Sequence, residues 1–239
     1  MPLPKISTPT YELVLPSSKK KIKFRPFLVK EEKILIMAME SQDSAQIANA
    51  IKDVLESCII SKGIKVDKLA TFDIEYLFLN IRGKSVGEEI EVMITCSDDG
   101  ETKVPTTINL DEIKVKIGKD HSPDIKLDDA LTLRMRYPSI QEFIKSNFST
   151  TESMNVDDTF DLIASCIDQI YSEEESWAGS DCTKKELSDF VESLNSKQFK
   201  EVEKFFDTMP KLSHKVKVKN PKTKVDSEIV LEGLQSFFT

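Results

Sequence analysis

Along residues 19–41, KKKIKFRPFLVKEEKILIMAMES, polar and apolar positions alternate up to Phe24, cross Pro26, and then give way to an unbroken apolar run at 34–39. Alternation with period two marks a half-buried strand. The pattern therefore predicts a strand, a proline-stiffened turn and a helix that is apolar on every side. Such a helix is ordinarily buried, so this one is expected at the centre of the first domain with the rest of the chain packed around it.

The same pattern organises the remainder. Segments 11–15 and 22–27 around PSSKKK predict a β-hairpin with Ile22 and Phe24 on one face and Lys21, Lys23 and Arg25 on the other; Glu31 and Glu32 fall in the first turn of the helix that follows. A second helix begins near Ala45, carries Ile47, Ile51, Val54, Leu55, Cys58 and Ile59 on one face, and stops at Gly63. A third, capped by Thr71 or Asp67, carries Phe72, Tyr76, Leu77 and Leu79 to an end at Gly83. Strands at 89–95 and 103–109 flank Asp99-Gly100, a strong hairpin signal. Short strands at 113–117 and 131–136 enclose the polar loop GKDHSPD.

From Pro138 the period becomes helical. Ser139 with Glu142 and Thr183 with Glu186 have capping-box spacing. The first precedes Phe143, Ile144 and Phe148, the second Leu187, Phe190, Val191 and Leu194. Between them Phe160, Ile163, Cys166, Ile167 and Ile170 predict one amphipathic helix, and Phe199, Val202, Phe205, Phe206 and Met209 another that Pro210 closes. A last hairpin, 214–218 and 227–231, turns over NPKTK. The fold class read from this order is α+β, with β-hairpins at the start, middle and end framing two helical groups. Two domains are expected: residues 1–137, a hairpin, three helices and a central hairpin sheet, and residues 138–239, a helical bundle closed by a β-hairpin.

Composition narrows the classes. With 239 residues and 39% hydrophobic content the chain can bury a sizeable core. The run at 34–39 is far short of the roughly 20 apolar residues of a membrane-spanning helix, and the start MPLPKISTPT lacks the apolar stretch of a signal peptide, so synthesis in the cytoplasm is expected. The four cysteines show no CxxC pair and read as small buried groups without disulfides. The net charge of −8 is uneven. Residues 1–33 and 211–224 are basic and residues 150–195 acidic, a polarity that suits ordered approach to neighbours and equally suits solvated faces.

Candidate chemistry is sparse. The turns after Cys96 and Asn220 have the outline of zinc-ribbon knuckles, which need about four Cys or His ligands in close pairs. They offer Cys96 with Asp99, and Asn220 with Thr223, so metal-free hairpins are expected. Neither His121, read as a solvated loop residue, nor His214, at a strand edge, accompanies a nucleophile motif. The seven glycines form no phosphate-binding loop, and the acid pairs lack calcium-loop spacing. The chain is expected to be no enzyme, with no cofactor, metal or small-molecule substrate. What remains is material suited to protein contact: Trp177 beside the acidic Glu173, Glu174 and Glu175, the basic edge Lys215, Lys217 and Lys219, and Phe237 and Phe238 near the end of the sequence.

Three runs, FRPFLVKEEKILIMAMES (24–41), FDIEYLFLNIRGKSVGE (72–88) and LEGLQSFF (231–238), resemble the baseplate hub subunit and hub assembly family of T4-like tailed phages. The likeness lies in packing signatures rather than catalytic residues. It implies a non-catalytic hub subunit or hub assembly factor of the contractile tail, acting through contacts with other hub or tail proteins, in the infected cell's cytoplasm during assembly or in the virion's tail baseplate. A nucleic-acid-binding accessory protein using the basic hairpins ranks below it, because Lys/Arg clusters with few interleaved aromatics and a pI near 5.0 give it little support.

Overall fold

The computed structural model of the chain describes residues 6–41, 43–118, 120–140, 156–233 and 236. The first hairpin pairs β1 (Tyr11–Val14) with β2 (Lys21–Phe24). Helices α1 (Val29–Ser41), α2 (Ser44–Cys58) and α3 (Thr71–Val86) follow. The central hairpin pairs β3 (Glu89–Thr95) with β4 (Lys103–Asn109), Ile90 opposite Ile108 and Ile94 opposite Val104. Then come β5 (Lys114–Lys116), β6 (Asp124–Lys126), β7 (Thr132–Met135), α4 (Val156–Ser165), β8 (Ile167–Tyr171), β9 (Ser176–Ala178), α5 (Lys184–Ser193), α6 (Ser196–Thr208), β10 (Lys211–Lys219) and β11 (Asp226–Glu232). The arrangement is α+β, with antiparallel hairpins near both ends and in the middle.

Two apolar clusters hold it together. The first gathers Leu13, Ile22 and Phe24 from the opening hairpin, Ile51, Val54 and Leu55 from α2, Ile74, Leu77 and Ile81 from α3, Val92 and Ile108 from the central hairpin, and Leu212, Val216 and Val218 from β10. The last hairpin therefore closes onto the first core, where β10 also pairs with β5. The second cluster lies between the four-stranded sheet β6-β7-β8-β9 and helices α4, α5 and α6, through Leu133, Ile163, Ile167, Leu187, Val191, Val202 and Phe205. Tyr137 joins them. Its ring meets Phe72 of α3 edge-on at 4.9 Å and stacks on Phe205 of α6 at 5.7 Å.

The centre of the first core is α3, not α1. Phe72, Ile74, Leu77, Leu79 and Ile81 are buried on several sides of α3. Gly83 does not end this helix. A side chain there would press on Leu110 at 3.3 Å, so glycine permits the close approach, and the helix runs on to Gly87 at φ +136°. On α1, by contrast, only Glu31 and Ala38 are buried.

Residues 160–170 also depart from expectation. The helix stops at Ser165, and Ile167 to Tyr171 form β8 against β7. The cause of the misreading is a bulge: Met135 faces Ile167 and Arg134 faces Gln169, so Asp168 has no opposite number. The extra residue brings Ile167 and Ile170, three apart, to the same buried side, imitating helical spacing. Further corrections are smaller. A short strand, β6, begins at Asp124, the last residue of the loop expected at 118–124, and α6 begins with a capping box of Asn195 and Gln198. The box at Thr183 and Glu186 is present as expected. Glu142, Phe143, Ile144 and Phe148 lie outside the described residues.

Candidate docking surface

Helix α1 acquires its orientation from a buried carboxylate. Glu31 is 2% exposed and bonds to the Arg25 guanidinium at 2.9 Å, to Lys30 at 3.3 Å and to the Leu28 N–H at 2.8 Å. Burial pushes its pKa up, but those three donors outweigh it and hold the carboxyl below its usual range. Next to it, the Phe27 N–H donates to Ser85 Oγ of α3 at 2.9 Å, and the Arg25 N–H to the Cys58 carbonyl at 2.9 Å. The start of α1 is thus tied to β2, α2 and α3.

With Glu31 inward, helical geometry places Leu35 and Ala38, four and seven residues on, along the same inner line. Leu35 packs on the first core and Ala38 is buried. The other apolar side chains point outward: Val29 is 80% exposed, Met37 59%, Met39 55%, Ile36 52%, Ile34 43%, and Leu28, just before the helix, 41%. Exposed large hydrophobics elsewhere, among them Ile6, Met93 and Ile117, are scattered along the chain. Single exposed apolar residues are ordinary, whereas a contiguous apolar surface marks an interaction site. Covering a side chain of this size gains about 1.5–3 kcal/mol, and methionines let such a surface fit partners of varied shape. Lys30, Lys33 and Glu40 supply charge beside it.

Trp177 and Glu173, Glu174 and Glu175 share one exposed hairpin. The acids occupy the turn between β8 and β9, where Ser172 Oγ accepts from the N–H groups of Glu174 and Glu175, and Trp177 lies opposite Ile170, 43% exposed. Lys215, Lys217 and Lys219 lie on another sheet, on the outer side of β10. Lys215 is ion-paired with Glu228, Lys217 sits opposite Glu228, and Lys219 opposite Asp226. The structure does not bring these two groups together on one element. Phe237 and Phe238 lie outside the described residues.

His121 is not a solvated loop residue. Its ring stacks on Tyr137, lies 5.0 Å from Phe205, and bonds through Nδ1 to Thr208 Oγ1 at 3.1 Å and through Nε2 to Tyr137 Oη at 3.0 Å. Burial lowers its pKa. Among the described residues no three His, Cys, Asp or Glu side chains are grouped to hold a metal ion. Cys58, Cys96 and Cys166 are buried and Cys182 partly so, all as free thiols; burial pushes the Cys58 thiol up to about 11. No described helix is long and apolar enough to cross a membrane.

The outward face of α1 was missed in the sequence because its residue types are those of a core helix. The one available signal was Glu31, whose place on the helix selects which side faces in. Comparison with known proteins adds a family match: the model of the T4 bacteriophage base plate protein family covers residues 8–239. No curated protein and no solved structure matches the chain.

Proposed function

The chain belongs to the T4 bacteriophage base plate protein family, and from this membership and the outward face of α1 we propose that it is a non-catalytic subunit or assembly factor of the baseplate hub. In this reading Leu28, Val29, Ile34, Ile36, Met37 and Met39 dock on another hub or tail protein. The observation that carries it is a helix with the composition of a core element and half-exposed side chains. A helix laid into an apolar groove, anchored at positions spaced three and four apart, is a common recognition mode. Trp177 with its neighbouring acids and the β10 lysines serve as secondary contacts that set orientation. Lys215 already has its counter-ion in Glu228, which favours a protein partner over nucleic acid. Assembly takes place in the host cytoplasm.

The test pairs Ile36→Lys with Met37→Glu in the full chain, a change that preserves net charge and sets two charges in the middle of the apolar face. Co-expressed with the other tail proteins of its phage, the parent is expected to co-purify with at least one of them, and the double variant to lose that partner about tenfold or more while keeping its thermal midpoint. A variant that retains the partner overturns the docking face. Mass spectrometry of purified virions then separates subunit from assembly factor.

A further inference from the structure

The turns of the central and final hairpins follow the same course. Cys96 N–H closes the first by donating to the Thr102 carbonyl at 2.8 Å, and the Cys96 carbonyl accepts from Gly100 at 3.0 Å. Asn220 N–H closes the second onto the Val225 carbonyl at 2.9 Å, and the Asn220 carbonyl accepts from Lys224 at 2.9 Å. Gly100 and Lys224 both have left-handed backbones, at φ +68° and +65°. Each turn thus presents side chains at its first and fourth positions, Cys96 with Asp99 and Asn220 with Thr223.

Turn course alone proves little, since the β1–β2 turn shares it, with the Leu15 carbonyl accepting from Lys19 at 3.0 Å and φ +55°. Its first position is a core leucine. The other two turns differ in that they meet. Asn220, 1% exposed, donates from Nδ2 to both Asp98 oxygens at 3.1 Å and to Asp99 Oδ2 at 2.9 Å. Its Oδ1 accepts from the N–H groups of Lys222 at 2.8 Å and Thr223 at 3.3 Å. Thr223 Oγ1 donates to Asp98, and Thr102 Oγ1 to Asp99 Oδ2 at 2.6 Å. Cys96, the first residue of its turn, is fully buried and belongs to the first apolar cluster.

Two facing turns, each offering side chains at positions i and i+3, make the framework of a four-ligand tetrahedral metal site with C-x2-C pairs. Here the occupants are one thiol, a carboxylate, an amide and a hydroxyl, and the neutral Asn220 amide donates where a cation would draw in the surrounding acceptors. We infer that these turns form a knuckle pair in which a hydrogen-bonded carboxamide stands in place of the ion. The native clasp joins the final hairpin to the central one without metal, and positions 96, 99, 220 and 223 keep the placement for a thiophilic divalent ion.

The test is the full-length triple variant Asp99→Cys, Asn220→Cys, Thr223→Cys, which with native Cys96 supplies four thiols. Titrated with cobalt(II), it is expected to bind one equivalent with the intense visible absorption of tetrahedral thiolate coordination, to release cobalt to zinc, and to lose thermal stability on chelation; the parent shows none of these. A folded triple variant that gives no such spectrum, or a parent destabilised by chelator, overturns the inference. Asn220→Ala tests the clasp without metal and decides the matter if the triple variant does not fold. Its midpoint is expected to drop by roughly 4–8 °C, with faster amide exchange at residues 220–225, and an unchanged midpoint and exchange refute the clasp.

Discussion

Arg25 and Glu31 set the direction of α1, and the pair is mostly out of water, the carboxylate side chain only 3% exposed and the guanidinium 18%. Removing one partner of such a pair strands the other charge. Arg25→Ala is expected to lower stability by about 2–3 kcal/mol in urea unfolding, below the full cost of an orphaned buried charge because Lys30 and the Leu28 N–H still reach Glu31. His121 gives the molecule a pH dependence of known sign. Its pKa is lowered on folding from about 6.5, so the unfolded chain binds the proton more readily. The stability tied to neutral His121 is complete above that value and is lost as pH falls through the lower folded value. Thermal midpoints between pH 7.5 and pH 5, chosen as roughly bracketing the usual histidine range, are expected to fall with acidification, and His121→Gln flattens that part of the profile.

At the level of elements, α3 and α1 exchange the roles that their compositions suggest. Leu77 of α3 is fully buried, so Leu77→Ala leaves a cavity in the first core and is expected to cost about 2–5 kcal/mol. Met37 of α1 faces outward, and Met37→Ala is expected to change stability by no more than about 0.5 kcal/mol. Chemical denaturation of both variants checks the inward and outward assignments directly, independent of any binding partner. Strand register was open to reading where turns and alternation agreed: β3 and β4 occupy the segments that Asp99-Gly100 indicates, and the α5 capping box begins at Thr183 as its spacing requires. At β8 the bulge opposite Met135 and Arg134 broke the period of two, so alternation misled.

Across the whole molecule, Tyr137, packed against the second cluster, contacts Phe72 of α3 on one side and Phe205 on the other and donates to or accepts from His121. Tyr137→Ala removes all three contacts at once. Calorimetry of the parent is expected to give one cooperative transition, and that of the variant two resolved transitions, as the clusters unfold separately; a single transition in the variant assigns the coupling elsewhere. The same architecture leaves Val29, Ile34, Ile36, Met37 and Met39 of α1 exposed outside both clusters, and the docking proposed above would cover them.

Local order was written in the chain itself. Alternation, turn residues and helical spacing act over a few positions, so the opening, central and closing hairpins and the existence of α2, α3, α5 and α6 follow from them, although the cap and end of α3 do not; the family likeness rested separately on the runs 24–41, 72–88 and 231–238. Tertiary structure alone decided which apolar side chains are covered. Ile36 and Met37 have the same hydrophobicity in or out of a core, and only the anchoring of Glu31 by Arg25, together with the space already filled by α3, turns them outward. The meeting of Asn220 with Asp98 and Asp99 was equally out of reach, because more than a hundred residues separate partners that no local rule connects.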